Sequence, residues 1–259
     1  MPRFCANLSM MFNEVAFLDR FEQAARAGFT AVEFLFPYEF PPRDLKARLD
    51  ANGLKQVLFN MPPGDWAGGE RGLACLPGRV GDFREATRRA LDYADALGCK
   101  LVHCMAGIAP AGASPVTLAS LYAANLAWAA EQASGAGVKL VIEPINHRDI
   151  PGFFLNTMAQ GAAVVEAIGR DRLGLQFDVY HCQVTEGDIT KRMEALMPVI
   201  AHMQIADVPA RNEPGTGEIA WDYVFPRIDA LGYQGWIGCE YRPAGDTVQG
   251  LAWRQRYAV

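Results

Sequence analysis

The sequence predicts a single closed (β/α)8 TIM barrel, and three observations carry the prediction. Eight short, β-rich apolar runs alternate with longer stretches of helical period along the 259 residues. The ends of these runs recur roughly every 33 residues, the size of one βα unit. No low-complexity linker divides the chain, and α/β barrels of about 250 residues fold as one domain. The alternation itself demands a parallel sheet, because each parallel connection needs a crossover element. A doubly wound open sheet is the competing architecture, but no GxGxxG follows the first strand.

The elements read in order as follows. RFCAN (3–7) is the first strand, and Val15, Leu18, Phe21, Ala25 and Gly28 then fall at helical steps of three and four. AVEFLF (31–36) and QVLFN (56–60) are the second and third strands. After them runs the longest irregular stretch, residues 61–79, of a length that usually marks a lid or binding loop. In the next helix Phe83, Ala86, Ala90, Ala94 and Leu97 form one face, while Arg84, Arg88, Arg89, Asp92 and Asp95 form the other. The remaining strands are KLVHCM (100–105), KLVIE (139–143), LGLQFD (173–178), IAHMQI (200–205) and GWIGCE (235–240). Gly28, Gly53, Gly98, Gly137, Gly169 and Gly232 stand where helices should stop.

Composition removes several classes of function. Hydrophobic residues make up 51% and charged residues 20%, enough to bury a large core. The 24 basic and 29 acidic residues leave a net charge of −5, which argues against nucleic acid as a partner. No apolar run reaches membrane-spanning length, and MPRFCANLSM lacks the apolar stretch of a signal peptide. The expectation is a cytoplasmic protein with no membrane partner. Six cysteines include no CxxC pair, so neither a disulfide framework nor a cysteine–histidine zinc site is expected.

Chemistry in a barrel sits at the C-terminal ends of the strands. Asn7, Glu33, Asn60, His103, Glu143, Asp178, Gln204 and Glu240 all fall at or near the end of an apolar run. A carboxylate there must be hydrogen-bonded, paired or bound to a cation. Glu143, Asp178 and Glu240 around one barrel mouth would repel one another unless a cation sat among them. The amide oxygen of Gln204 completes four oxygen ligands from the fifth to eighth strands. Such a set selects a hard ion, Mg²⁺ or Mn²⁺, over zinc. Scattered caps and salt-bridge partners are the plainer reading of any one of these residues, and the set of four weighs against it.

The chain resembles the hydroxypyruvate isomerase family of the xylose-isomerase-like barrels. The likeness runs through RFCANLSMMF, GFTAVEFLFPYEF, PPGDWAGGERGLACLPGR, IEPINHRDIPGFFL, FDVYHCQ, HMQIAD, NEPGTGEI and QGWIGCEYRP. The opening and closing segments are also similar to the sister 2-oxo-tetronate isomerases, while IEPINHRDIPGFF follows the hydroxypyruvate pattern. The resemblance implies interconversion of hydroxypyruvate and tartronate semialdehyde, with Glu143 and Glu240 as catalytic residues. It implies Glu143, Asp178, Gln204 and Glu240 as metal ligands. His181 matches a substrate-contacting position in related sugar isomerases and epimerases, and Arg211 falls where those epimerases carry an arginine. Those epimerases usually place a histidine where this chain has Gln204, which favours a small-acid isomerase over a keto-sugar 3-epimerase. Relatives form dimers or tetramers, so a homo-oligomer is expected.

A hydroxy-keto acid substrate needs a cationic partner for its carboxylate. Arg211 is the expected one, with Arg71 and Arg242 as competitors. Asn60, His103 and His181 are further candidate substrate contacts. Trp66, amid glycines in the third loop, reads either as a lid residue that excludes water or as an aromatic anchor for the loop. His202 lies inside a strand and reads as structural. The rival functions are a multi-zinc nuclease on the same barrel, which four histidines and an acidic charge do not suit, and a non-catalytic binding protein, which has no need of paired carboxylates.

Overall fold

A computed structural model describes residues 2–257. Eight parallel strands close into a barrel in sequence order: β1 (Arg3–Asn7), β2 (Ala31–Glu33), β3 (Lys55–Asn60), β4 (Leu101–His103), β5 (Lys139–Ile142), β6 (Leu173–Asp178), β7 (Ile200–Ile205) and β8 (Trp236–Cys239). Closure pairs Arg3 with Trp236 and Ala6 with Cys239. The expected barrel is therefore the observed one. Strands expected to reach residues 36 and 105 stop at Glu33 and His103, where the chain leaves the sheet at the barrel rim.

Around the strands pack α1 (Arg20–Arg26), α2 (Pro42–Ala51), α3 (Val80–Leu97), α4 (Pro115–Gly135), α5 (Met158–Ile168), α6 (Val179–Thr185), α7 (Ile189–Leu196) and α8 (Trp221–Ala230), with the short α9 (Thr247–Gly250) near the end. The amphipathic face read for α3 is the buried one: Phe83, Ala86, Ala90, Ala94 and Leu97 all face the sheet. Its end at Gly98 adopts φ 64°, a left-handed conformation that glycine enters without a Cβ penalty. The main core fills the space between sheet and helices, with Phe21, Leu45, Leu126, Val165 and Phe225 meeting Val32, Phe59, Val102 and Leu140. Cys5, Ala31, Val57, Leu58 and Val141 form a second, smaller cluster. All six cysteines are free and buried, as small hydrophobes would be. No helix among the described residues is long and apolar enough to cross a membrane.

Candidate active site

Three carboxylates meet at the C-terminal mouth of the barrel because their strands end there. Glu143 directly follows β5, Glu240 directly follows β8, and Asp178 is the last residue of β6. Asp178 also caps α6, its Oδ1 accepting from the backbone N–H of Tyr180 at 2.7 Å and of His181 at 3.4 Å. The strand thus turns straight into a helix, and one turn of that helix brings His181 back over its own cap. His181 Nε2 lies 3.7 Å from Asp178 Oδ2 and 3.6 Å from Glu143 Oε1. One ligand atom from each of Glu143, Asp178, His181 and Glu240 falls within 4.8 Å of all the others.

Burial sets the charge state of this cluster. It pushes Glu143 well above the usual carboxylate range, and the neighbouring Glu240 and Asp178 push the same way. Burial raises Asp178 to about 6 and Glu240 to about 8, against the opposing pull of Arg211 on both. Burial would also discharge Arg211, but Glu240, Asp178 and Glu143 together hold it charged. Its Nη2 is 2.7 Å from Glu240 Oε2 and 3.7 Å from Asp178 Oδ2, and its Nη1 is 3.3 Å from Asp149 Oδ2. Arg211 stands in the left-handed region at φ 59°, on the loop that follows β7.

The donor set fits a divalent cation. Glu143 Oε1 and Asp178 Oδ2 are buried and without a hydrogen-bond partner, which leaves two carboxylate oxygens uncompensated. His181 belongs to a different role from the carboxylates. Its Nδ1 accepts from the backbone N–H of Asn146 at 3.4 Å and faces the Asn146 side-chain nitrogen at 2.6 Å. Burial, with Arg211 and His103, holds its pKa well below the usual histidine value, so the ring is neutral and its proton sits on Nε2. Nε2 is then a donor aimed at the cluster and has no lone pair for a metal.

Gln204 pairs in register with Asp178 across β6 and β7 and is bonded into the barrel floor. Its Nε2 donates to Glu33 Oε1 at 2.8 Å and its Oε1 accepts from Gln176 at 2.5 Å, which leaves that oxygen a second lone pair. Glu33 is the hub of this floor, accepting also from Asn7 Nδ2 at 3.0 Å and bonded to His202 Nε2 at 2.7 Å. Asn7 Nδ2 reaches Glu240 Oε1 at 3.4 Å as well, so the floor touches the mouth. Glu33 was legible only as one polar strand end among eight. Its hub role depends on His202, 169 residues away, which no local pattern links to it. His202 is the interior residue expected of it.

Above the cluster opens a cavity of about 510 Å³. Asn60, Trp66, His103, Glu143, His181, Arg211 and Glu240 all border it, while Asp178 and Gln204 are fully buried outside its lining. His103 is buried with both ring nitrogens unpartnered, Nδ1 standing 3.6 Å from Glu143 Oε2. Burial, and then His202, drop its pKa to about 3, so it too is neutral. The remaining histidine, His147, is exposed and bonds the Phe153 carbonyl outside the cavity. Trp66 is 40% exposed at the rim, tilted against Phe36 with ring centres 5.0 Å apart. Asp149, Tyr180 and Asn146 were not singled out from the sequence. Asn146 and Asp149 lie in the INHRD segment just past the strand end that carries Glu143, which is the signal that could have found them.

The comparisons agree with this architecture. Residues 21–257 match the family model of the xylose isomerase-like TIM barrel. A 2-oxo-tetronate isomerase of Cupriavidus necator is 55% identical over 257 residues, spanning 99% of each chain. A hydroxypyruvate isomerase of Escherichia coli is 48% identical, spanning 99% of this chain and all of its own. A crystal structure from Brucella melitensis, described as an AP endonuclease of family 2, superposes with a TM-score of 0.97 at 45% identity over the full length of both chains. With a closed barrel, a carboxylate cluster at its mouth and relatives of this closeness, the chain belongs to the xylose isomerase-like TIM barrel family and is an isomerase.

Proposed function

We propose that this enzyme isomerises a 3-hydroxy-2-oxo acid to the 2-hydroxy-3-oxo acid through an enediolate, with hydroxypyruvate and tartronate semialdehyde as the parent pair. The observation that carries the reading is the pair Glu143 and Glu240. Both are buried, both border one cavity, and both have carboxyl groups raised toward neutrality. Glu240, at about 8, lies near neutral pH, where a group can both take and return a proton.

One glutamate removes the proton from C3 and the electron pair moves into the C2–C3 bond, spreading charge over the oxygens on C2 and C3. The other returns a proton to C2, while the proton of the C3 hydroxyl passes to the oxygen on C2, so that the C3 oxygen becomes the carbonyl and the C2 oxygen the hydroxyl. C2 is reduced and C3 oxidised, so no external redox partner enters. The Nε2–H of His181 stands beside Glu143 and Asp178, where it can donate to a substrate oxygen. A divalent cation, Mg²⁺ or Mn²⁺, would be held by Glu143, Asp178 and Glu240 with the free lone pair of Gln204 Oε1, and would supply Lewis-acid stabilisation of the developing charge. Two of the four histidines border the cavity, which supports an isomerase over a nuclease built on several histidine-bound zinc ions.

The four-carbon 2-oxo-tetronate is a second reading with its own support. It differs from hydroxypyruvate by a hydroxymethyl group on C3. A neighbouring cavity of about 540 Å³ shares Met10, Leu35, Trp66 and Arg242 with the first, which leaves room for that group. The relative at 55% identity carries that name. Proton NMR in D₂O with metal-stripped and Mn²⁺- or Mg²⁺-reloaded enzyme tests both readings. Cation-dependent deuterium uptake at C3 of either acid, with the aldehyde or 3-oxo product appearing, is the expected result. The ratio of kcat/KM between the two acids ranks them. No exchange with either acid would overturn the reading.

A further inference from the structure

Four arginines border the cavity: Arg71, Arg148, Arg211 and Arg242. Two are already committed to the enzyme's own carboxylates. Arg211 spends both terminal nitrogens on Glu240, Asp178 and Asp149, and keeps only a single buried Nε–H unpartnered, which is no fork for a carboxylate. Arg148 lies 3.9 Å from Asp149 and donates to Tyr180 Oη and the Pro209 carbonyl. Arg71 and Arg242 pair with no carboxylate among the described residues.

These two differ in how firmly they are held. Arg242 is exposed, and its side chain makes no hydrogen bond or ion pair among the described residues. Arg71 is half-buried, its Nη1 donating to the backbone carbonyls of Trp66 at 2.9 Å and Glu70 at 2.8 Å. Its guanidinium lies over the Trp66 ring, with Cζ 3.8 Å from the centroid. The loop beneath it is anchored as well. Gly72 N donates to the Pro63 carbonyl at 2.9 Å, Cys75 N to the Ala106 carbonyl at 2.8 Å, and Asn125 Nδ2 to the Ala74 carbonyl at 2.9 Å. Gly72, at φ 114°, packs so close that a Cβ would lie 2.3 Å from the Met105 carbonyl oxygen. With Nη1 fixed to the backbone, the Nε–Nη2 edge remains as a preorganised fork of the width a carboxylate accepts.

Resting on the isomerase reading above, we infer that Arg71, stacked on Trp66, clamps the substrate's carboxylate and so determines that this barrel takes hydroxy-keto acids in preference to neutral hydroxy-ketones. Trp66 is then the platform of the clamp. The long third loop acts as an anchored wall that carries a charge, and Arg211 serves to orient Glu240.

The test compares Arg71→Ala, Arg71→Lys and Arg242→Ala with wild type in two assays. Steady-state kinetics use hydroxypyruvate and the carboxylate-free dihydroxyacetone, and calorimetry measures binding of the unreactive acid D-glycerate. Arg71→Ala is expected to raise KM for the acid and weaken D-glycerate binding roughly 10- to 100-fold, the size of a lost charge-assisted contact. Its kcat should stay within a few-fold, and any turnover of dihydroxyacetone should be unchanged. Arg71→Lys keeps the charge without the fork and should fall between, which separates recognition from misfolding of the loop. Arg242→Ala should leave the KM for the acid within about twofold. Equal losses on acid and neutral substrate, or unchanged D-glycerate binding in Arg71→Ala, would overturn the clamp. Selective loss of acid binding in Arg211→Ala with Arg71→Ala unaffected would transfer it to Arg211. If wild type turns over neither acid, the isomerase reading fails, and the D-glycerate titrations still decide the clamp.

Discussion

Glu240 shows how much one residue type at one place determines. Its carboxylate borders the cavity, accepts from Arg211 at 2.7 Å and is raised to about 8, with burial the largest cause. Glu240→Gln keeps the shape and removes the proton acceptor. Turnover should fall by at least about 10²-fold, the usual contribution of a positioned acid or base. Cation binding, measured by calorimetry, should persist in part through Glu143 and Asp178. A variant with near-wild-type turnover and C3 exchange would remove Glu240 from the proton path. The place of Glu240 at the barrel mouth was legible because a carboxylate ending an apolar strand needs a reason to be there. The role of Asn146 was not, because it acts through the Nδ1 of His181, 35 residues further on.

Among the elements, β8 and β2 carry the clearest packing constraint. Gly238 lets the Glu33 carboxylate occupy the barrel floor, since a Cβ on it would stand 2.3–2.5 Å from the carboxylate atoms. Gly238→Ala is therefore expected to destabilise the barrel by about 1–3 kcal/mol, the usual cost of overpacking. The denaturant midpoint should fall, and cation affinity should weaken because Glu33 orients Gln204 and Asn7. An unchanged midpoint with unchanged affinity would show that the floor has slack. Helix ends were legible from glycines such as Gly98, and the α3 face from its spacing. The ends of β2 and β4 were not, because Phe34 and Leu35 continue the apolar run while the chain has already left the sheet. The third loop read equally as lid or anchored segment. Its bonds to Ala106 and Asn125, far along the chain, are what make it a wall.

For the molecule as a whole, burying three carboxylates around one point couples stability to pH and, on the proposed reading, to cations. Glu240 is about 8 in the folded chain against an ordinary 4.5, and Asp178 about 6 against 3.8. The folded state therefore holds more protons than the unfolded chain between these limits. The stabilisation from these groups is present at acid pH and is lost as pH rises through the folded values. Metal-stripped protein should accordingly show a lower Tm at pH 8 than at pH 5.5, at equal ionic strength. Added Mn²⁺ or Mg²⁺ should raise Tm more at pH 8, because a cation binds the ionised cluster and releases its protons. A Tm that rises with pH in the metal-stripped protein would show that Arg211 alone keeps the cluster ionised.

Periodicity and polar strand ends together determined the barrel, the parallel order of its strands and the convergence of Glu143, Asp178 and Glu240, because closing a barrel necessarily brings strand ends to one rim. Which way each side chain faces within that rim belongs to the tertiary structure alone. The pairing of Arg211 with Glu240, the proton on His181 Nε2, the burial of Glu33 against Gly238 and the stacking of Arg71 on Trp66 each join groups on different loops or strands. Their partners are selected by rotamer and desolvation in the assembled fold, and neither is written in the spacing of residues along the chain.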